Sequence, residues 1–125
     1  MTTPDRQEAL LDLIMLRKPV SSAIGVVKAF QWDSDAEIVT FTRADALRLL
    51  DAYLQGTVGE GLVEQWANAV EGRDDIGFER SAGELLREFI FELATPEITT
   101  ALTPARAAEW EEALRAEGSE LDRRP

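Results

Sequence analysis

Two rows of carboxylates stand at helical spacing in this 125-residue chain: Glu84, Glu88 and Glu92, and Glu60 and Glu64 with Asn68 and Glu71, followed by Asp74 and Asp75. An all-carboxylate set of this kind is the chemistry of a magnesium site, provided the acids face inward together. No histidine and no cysteine accompanies them. That removes the commonest general base, thiolate nucleophiles and the usual zinc ligands, and the Glu-x-x-His pairs of helical di-metal proteins cannot be built. A solvated helix face accounts for Glu84, Glu88 and Glu92 better than a metal centre does. The glycines Gly56, Gly59 and Gly61 follow a helix rather than a strand and lack the Lys-Ser/Thr of a phosphate loop. A helix stop and a loose helix start explain them. The expectation is therefore a protein that is not an enzyme, with no catalytic residue, no metal and no cofactor.

The elements that carry these acids are cut by clear punctuation. Thr3-Pro4 opens a first helix with Leu10, Leu13, Ile14 and Met15 inward, closed by Arg17-Lys18 before Pro19. Residues 21–30 favour a helix, although Gly25 and the β-branched residues weaken it, and whether 20–41 is helix or strand stays open. Residues 31–37 read as a polar connection in which Trp32 is partly exposed. Residues 38–41 suit a short extended piece, and Thr42 caps a helix with Leu47, Leu50 and Leu54 on one face until Gly56. Thr57 and Glu60 have the spacing of a capping box before Leu62, Val63, Trp66, Ala67 and Val70, with Gly72 as the stop. Ser81 and Glu84 repeat that spacing ahead of the cleanest stripe, Ala82, Leu85, Leu86, Phe89, Ile90 and Leu93. Phe91 lies off the stripe, which predicts that this helix packs on two neighbours. Thr103-Pro104 starts a last helix, with Ala107, Trp110 and Leu114 inward and Gly118 as its stop. The fold class expected is all-α: an antiparallel bundle of five to six helices, with one short extended segment near 37–41. Residues 1–118 form a single domain and 119–125 a frayed tail.

Composition sets the class of partner. The net charge is −11, from 24 acids against 13 bases, which disfavours nucleic acid and anionic lipid. It suits solubility, or a basic protein partner. No stretch approaches a membrane span, and the acidic N-terminus is unlike a signal peptide, so a bacterial-type cytoplasmic location is expected. The charge is uneven: residues 57–92 hold nine acids and three bases, a net of −6. Like charges at i, i+4 weaken their own helix by about 0.2–0.5 kcal/mol per pair, so the row on 58–71 suggests a use.

The runs Trp66–Glu79 (WANAVEGRDDIGFE) and Glu92–Ile98 (ELATPEI) resemble those of a group of small bacterial helical proteins, themselves similar to colicin-type bacteriocin immunity proteins. The resemblance covers roughly residues 41–114. It implies a small acidic helical bundle that binds and occludes a basic toxin nuclease domain, although no toxin-contacting motif of that family carries over residue by residue. The partner-binding residues expected are Glu60, Glu64, Glu71, Asp74, Asp75 and Phe78. A structural or regulatory homo-oligomer that buries Phe91 and Trp32 is the alternative.

Overall fold

Thr42 shows how locally the helices are specified. Its hydroxyl accepts from the Asp45 backbone N–H, and the Asp45 carboxylate accepts from the Thr42 N–H. This reciprocal cap satisfies two of the backbone donors that every helix leaves unpaired at its start. The computed structural model describes the backbone of residues 5–123 and the side chains of residues 5–116. Six α-helices lie among them: α1 (Arg6–Ile14), α2 (Val20–Val27), α3 (Arg43–Leu54), α4 (Glu60–Val70), α5 (Gly83–Ala94) and α6 (Pro104–Arg123). The protein is all-α in class. No described helix is long and apolar enough to cross a membrane.

Several starts and stops differ from expectation. Thr3-Pro4 lies outside the described residues, and Asp5 caps α1 by accepting from the Glu8 N–H. Thr57 does not cap α4, because the Thr57 and Val58 N–H groups bond back to the Ala52 carbonyl and Gly59 becomes the cap. Ser81 sits inside a 3-10 turn, Arg80–Ala82, and its hydroxyl turns to Glu79, so α5 starts at Gly83 without a side-chain cap. Gly56 and Gly72 end their helices at φ +81° and +83°, a backbone shape that costs glycine nothing. Gly118 does not end α6, whose backbone continues to Arg123. Leu54 is exposed, and α3 buries Ala46, Leu49 and Leu50 instead.

The extended piece near 37–41 is a strand, β1 (Val39–Phe41), and it has an unexpected partner in the charged loop after α4, β2 (Ile76–Phe78). The two run parallel, with Val39 opposite Ile76 and Phe41 opposite Phe78. Parallel strands need a long crossover, and α3 and α4 supply it. Phe41 is fully buried at the centre of an aromatic cluster: its ring centroid lies 5.6 Å from Trp66, 6.4 Å from Phe78 and 6.5 Å from Phe89, which in turn packs edge-on against Trp110 at 5.3 Å. The Trp66 indole N–H donates to the Leu13 carbonyl at 3.0 Å, tying α4 to α1.

Glu92, expected on the solvated face of α5, is instead buried against α6. Arg106 donates to both of its oxygens at 2.6 and 2.8 Å, and the Trp110 indole N–H donates at 2.7 Å. The helical register places it one turn from Phe89 and next to Leu93, both buried, where no unpaired carboxylate would be tolerated. On the α3–α6 contact, burial pushes the Glu111 carboxyl up, and the neighbouring Asp51 carboxyl adds to the rise against the opposing pull of Arg115.

Two outcomes follow. Thr42→Ala removes the cap on α3 and lowers stability by about 1 kcal/mol, measurable as a lower urea midpoint with an unchanged slope. A raised folded pKa stabilises below the unfolded value and is lost as pH rises through the folded one. Glu111→Gln should therefore melt higher than the parent chain at pH 7, the gap closing as the pH falls toward about 4.

Candidate functional site

The loop between α4 and β2 is built around one carboxylate. Asp75 is 0% exposed, and two guanidinium groups hold it: Arg73 Nε donates to Oδ1 at 3.0 Å and Nη2 to Oδ2 at 3.0 Å, while Arg6 Nε donates to Oδ2 at 2.9 Å. Both arginines also reach the 30–33 connection. Arg6 Nη2 donates to the carbonyls of Gln31 and Asp33 at 2.7 and 2.9 Å, and Arg73 Nη2 donates to that of Gln31 at 2.9 Å. The Asp75 carbonyl accepts from Ile38 and Val39, which sets the register of β1 on β2, and the Asp74 N–H donates to the Trp32 carbonyl. Arg73 also stacks on Trp32, 5.0 Å from the ring centroid. Burial pushes the Asp75 carboxyl up, but the hydrogen bonds from Arg73 and Arg6, with their charges, outweigh it and hold the group below the usual carboxylate range.

Asp75 is thus corrected as a contact residue. Both of its oxygens are engaged inside the protein, and no partner can reach a group with no exposed surface. Its neighbours fare differently. Glu71, Asp74 and Phe78 line one groove of about 520 Å³ between the α4–β2 loop and α5. Its floor is Val70, Ile76, Phe78 and Ile90, and Phe91 stands at its edge, 46% exposed. Phe91 therefore does not bury against a second neighbour of α5 as its off-stripe position suggested. Glu60 and Glu64 lie at the other end of α4, about 1.5 Å per residue away along the helix axis, beside Pro96 and Leu102. The structure brings three of the six expected contacts together and leaves these two apart.

Two further groove residues, Glu37 and Arg87, were not among the expected contacts, and Phe91 was expected only at a homo-oligomer interface. Glu37 arrives through the strand pairing, and its carboxylate lies against the β2 backbone at Gly77, where a Cβ would collide with Oε2. Arg87 crosses the floor with its guanidinium 4.8 Å from the Phe78 ring centroid. Phe91 completes the apolar edge. The signal available for Glu37 was the Ile-Gly-Phe run at 76–78: read as a strand, it would have paired with 39–41 and drawn Glu37 to Asp74.

Ion pairing sorts the acids of 57–92. Asp75, Glu79 and Glu92 are taken up by Arg6 with Arg73, by Arg43 and by Arg106. Among the described residues Glu60, Glu64, Glu71, Asp74, Glu84 and Glu88 have no ion-pair partner. Also among the described residues, no group of three or more acids is arranged to hold a metal ion. What the groove can do chemically is binding: carboxylates Glu37, Glu71 and Asp74, with the guanidinium groups of Arg73 and Arg87 among them, surround apolar side chains, and the excess of acids favours a cationic, apolar-tipped segment. No protein-family model, curated protein or solved structure matches the chain.

Asp75→Ala strands Arg73 as a buried cation and should cost about 3–5 kcal/mol, read by chemical denaturation. Folded pKa values held low, as for Asp75 and Glu92, contribute stability that is present above the unfolded carboxylate value and lost as pH falls through the folded one. The parent chain should therefore lose stability below about pH 4, and a urea midpoint that stays flat from pH 5 to 2 would contradict the pairing.

Proposed function

We propose that this chain is a non-enzymatic binding protein of the bacterial cytosol whose acid-rimmed groove occludes a basic protein partner, in the manner of an immunity protein against a toxin domain. The observation that carries this reading is the convergence of Glu37, Glu71 and Asp74 on one rim around Phe78 and Phe91. Apolar side chains exposed beside unpaired carboxylates form a small version of an interface core with a polar rim. The overall charge of −11 steers a cationic partner toward the groove and makes association salt-sensitive. The resemblance of Trp66–Glu79, which supplies most of the groove, to immunity-like helical proteins points the same way.

A homo-oligomer through Phe91 and Trp32 is the second reading, since both are 46% exposed. The two residues line different cavities, and a two-fold pairing over the groove would set its acidic rim against a copy of itself. A basic partner is the better match. Light scattering separates the two, a clean monomer at high concentration excluding the oligomer.

The test is capture of a panel of basic nuclease domains by the full chain. Glu71→Lys with Asp74→Lys should weaken binding by about tenfold or more, chiefly through a slower on-rate. Phe91→Ser should act on the off-rate. Capture unaffected by the double reversal would remove the groove as the interface.

A further inference from the structure

The small sheet has a free edge, and two backbone bonds fix which groups lie on it. The Val39 N–H donates to the Asp75 carbonyl and the Glu79 N–H to the Phe41 carbonyl, in a parallel ladder that sets Val39 opposite Ile76 and Phe41 opposite Phe78. Successive residues of a strand aim their N–H and C=O groups at alternate edges. Asp75, Gly77 and Glu79 therefore serve β1, and the N–H and C=O groups of Ile76 and Phe78 point the other way. Among the described residues no third strand lies there, and none of those four groups has a hydrogen-bond partner.

The acid-rimmed groove passes along that edge. Ile76 and Phe78 line it, and Gly77 does not. A Cβ on Gly77 would collide with the Glu37 carboxylate, so Glu37 stands on the face of β2 opposite to the Ile76 and Phe78 side chains. On the other face the Phe78 ring packs on Phe41 and beneath the Arg87 guanidinium of α5. A groove lined by Glu37 from one face and by Arg87 and Ile90 from the other runs past the edge between them. Ile76 is only 4% exposed, and backbone groups so shielded from bulk water are nearly always paired. A strand laid in the groove would pair them.

We infer that the partner enters the groove as an extended segment and adds a third strand to the free edge of β2. The inference rests on the groove reading above and specifies the conformation and sequence pattern of the occupant. Main-chain bonds to Ile76 and Phe78 supply affinity, and alternate side chains supply specificity. Side chains on the Glu37 face are basic, pairing with Glu37 and, at the start of β2, with Asp74, neither of which has an ion-pair partner among the described residues. Those on the opposite face are aliphatic and rest against Ile90 and Phe91. The occupant is thus a strand of alternating basic and aliphatic residues. A helix repeats its side chains every 3.6 residues and keeps its peptide groups inside, so it matches neither the alternation nor the open edge.

The full chain is titrated with the peptide acetyl-Lys-Val-Lys-Val-Lys-Val-amide and followed by NMR and amide hydrogen exchange. In the free chain the Ile76 and Phe78 amides should exchange about tenfold faster than those of Gly77 and Glu79, which β1 protects. Saturating peptide should slow Ile76 and Phe78 by about tenfold or more. N-methylation then separates main-chain from side-chain recognition: methyl groups on the valine amides block an antiparallel addition, and those on the lysine amides a parallel one. One methylated peptide should bind about tenfold more weakly and the other like the parent. Ile76 and Phe78 amides as slow as Gly77 in the free chain, equal affinity of the two methylated peptides, or no saturation at millimolar peptide overturns the strand addition. Saturable shifts at Asp74 and Phe91 without protection of Ile76 and Phe78 also overturn it, while leaving the groove as the binding surface. Nuclease-domain capture that is indifferent to the Glu71 and Asp74 reversals removes both.

Discussion

A carboxylate removed from water is tolerated only if charge and hydrogen bonds replace the lost hydration, and Asp75 meets that demand by drawing α1 and the 31–39 segment to its own loop. Arg6 comes from the first turn of α1, Arg73 from the α4–β2 loop two residues before Asp75, and the carbonyls of Gln31 and Asp33 from the connection before β1. The Asp75 backbone carbonyl then takes the start of β1. A buried ion cluster of this sort adds little net stability compared with apolar packing. What it does is fix how these segments meet, since displacing either arginine would leave a buried charge unsatisfied.

The strand pair depends on that arrangement. Two strands of three residues are marginal alone, and this parallel ladder has no turn to set its register. Asp75 pins one end and the buried Phe41 ring pins the other, against Trp66, Phe78 and Phe89. With the register held, Glu37 falls against Gly77 and Phe78 faces α5, which is how the groove acquires its rim and floor. A second ion cluster, Glu92 with Arg106 and Trp110, performs the same service between α5 and α6.

Arg73 divides the molecule electrostatically. It lines both the acid-rimmed groove and a cavity between α2, α4 and the Trp32 connection, none of whose lining residues is acidic. The charge of the chain is therefore neither uniform nor a single ridge along α4. Three acids of the 57–92 segment are taken up by Arg6, Arg43 and Arg106 from elsewhere in the sequence, with Arg73 adding to Asp75, and six remain unpaired among the described residues. The surface potential is set as much by those long-range pairings as by composition.

Local patterns in the sequence determined α1 and α3–α6, favoured α2 without deciding it, and supplied most of the apolar stripes and much of the punctuation: the Thr42 cap, the stops at Gly56 and Gly72, and the burial of Trp66 and Trp110. These signals are short-range, arising from helical periodicity and from backbone groups satisfied within a turn. The extended piece at 39–41 was legible too, but its partner was not, since a three-residue strand in a charged loop carries no periodicity. Glu71, Asp74 and Phe78 come to line one groove, as residues within eight positions of one another readily do. Asp75 and Glu92 read as solvent-facing acids, and only the tertiary structure made them internal. Their partners, Arg6 and Arg106, are 69 and 14 residues away, and nothing in the local sequence marks which acid a distant arginine will claim.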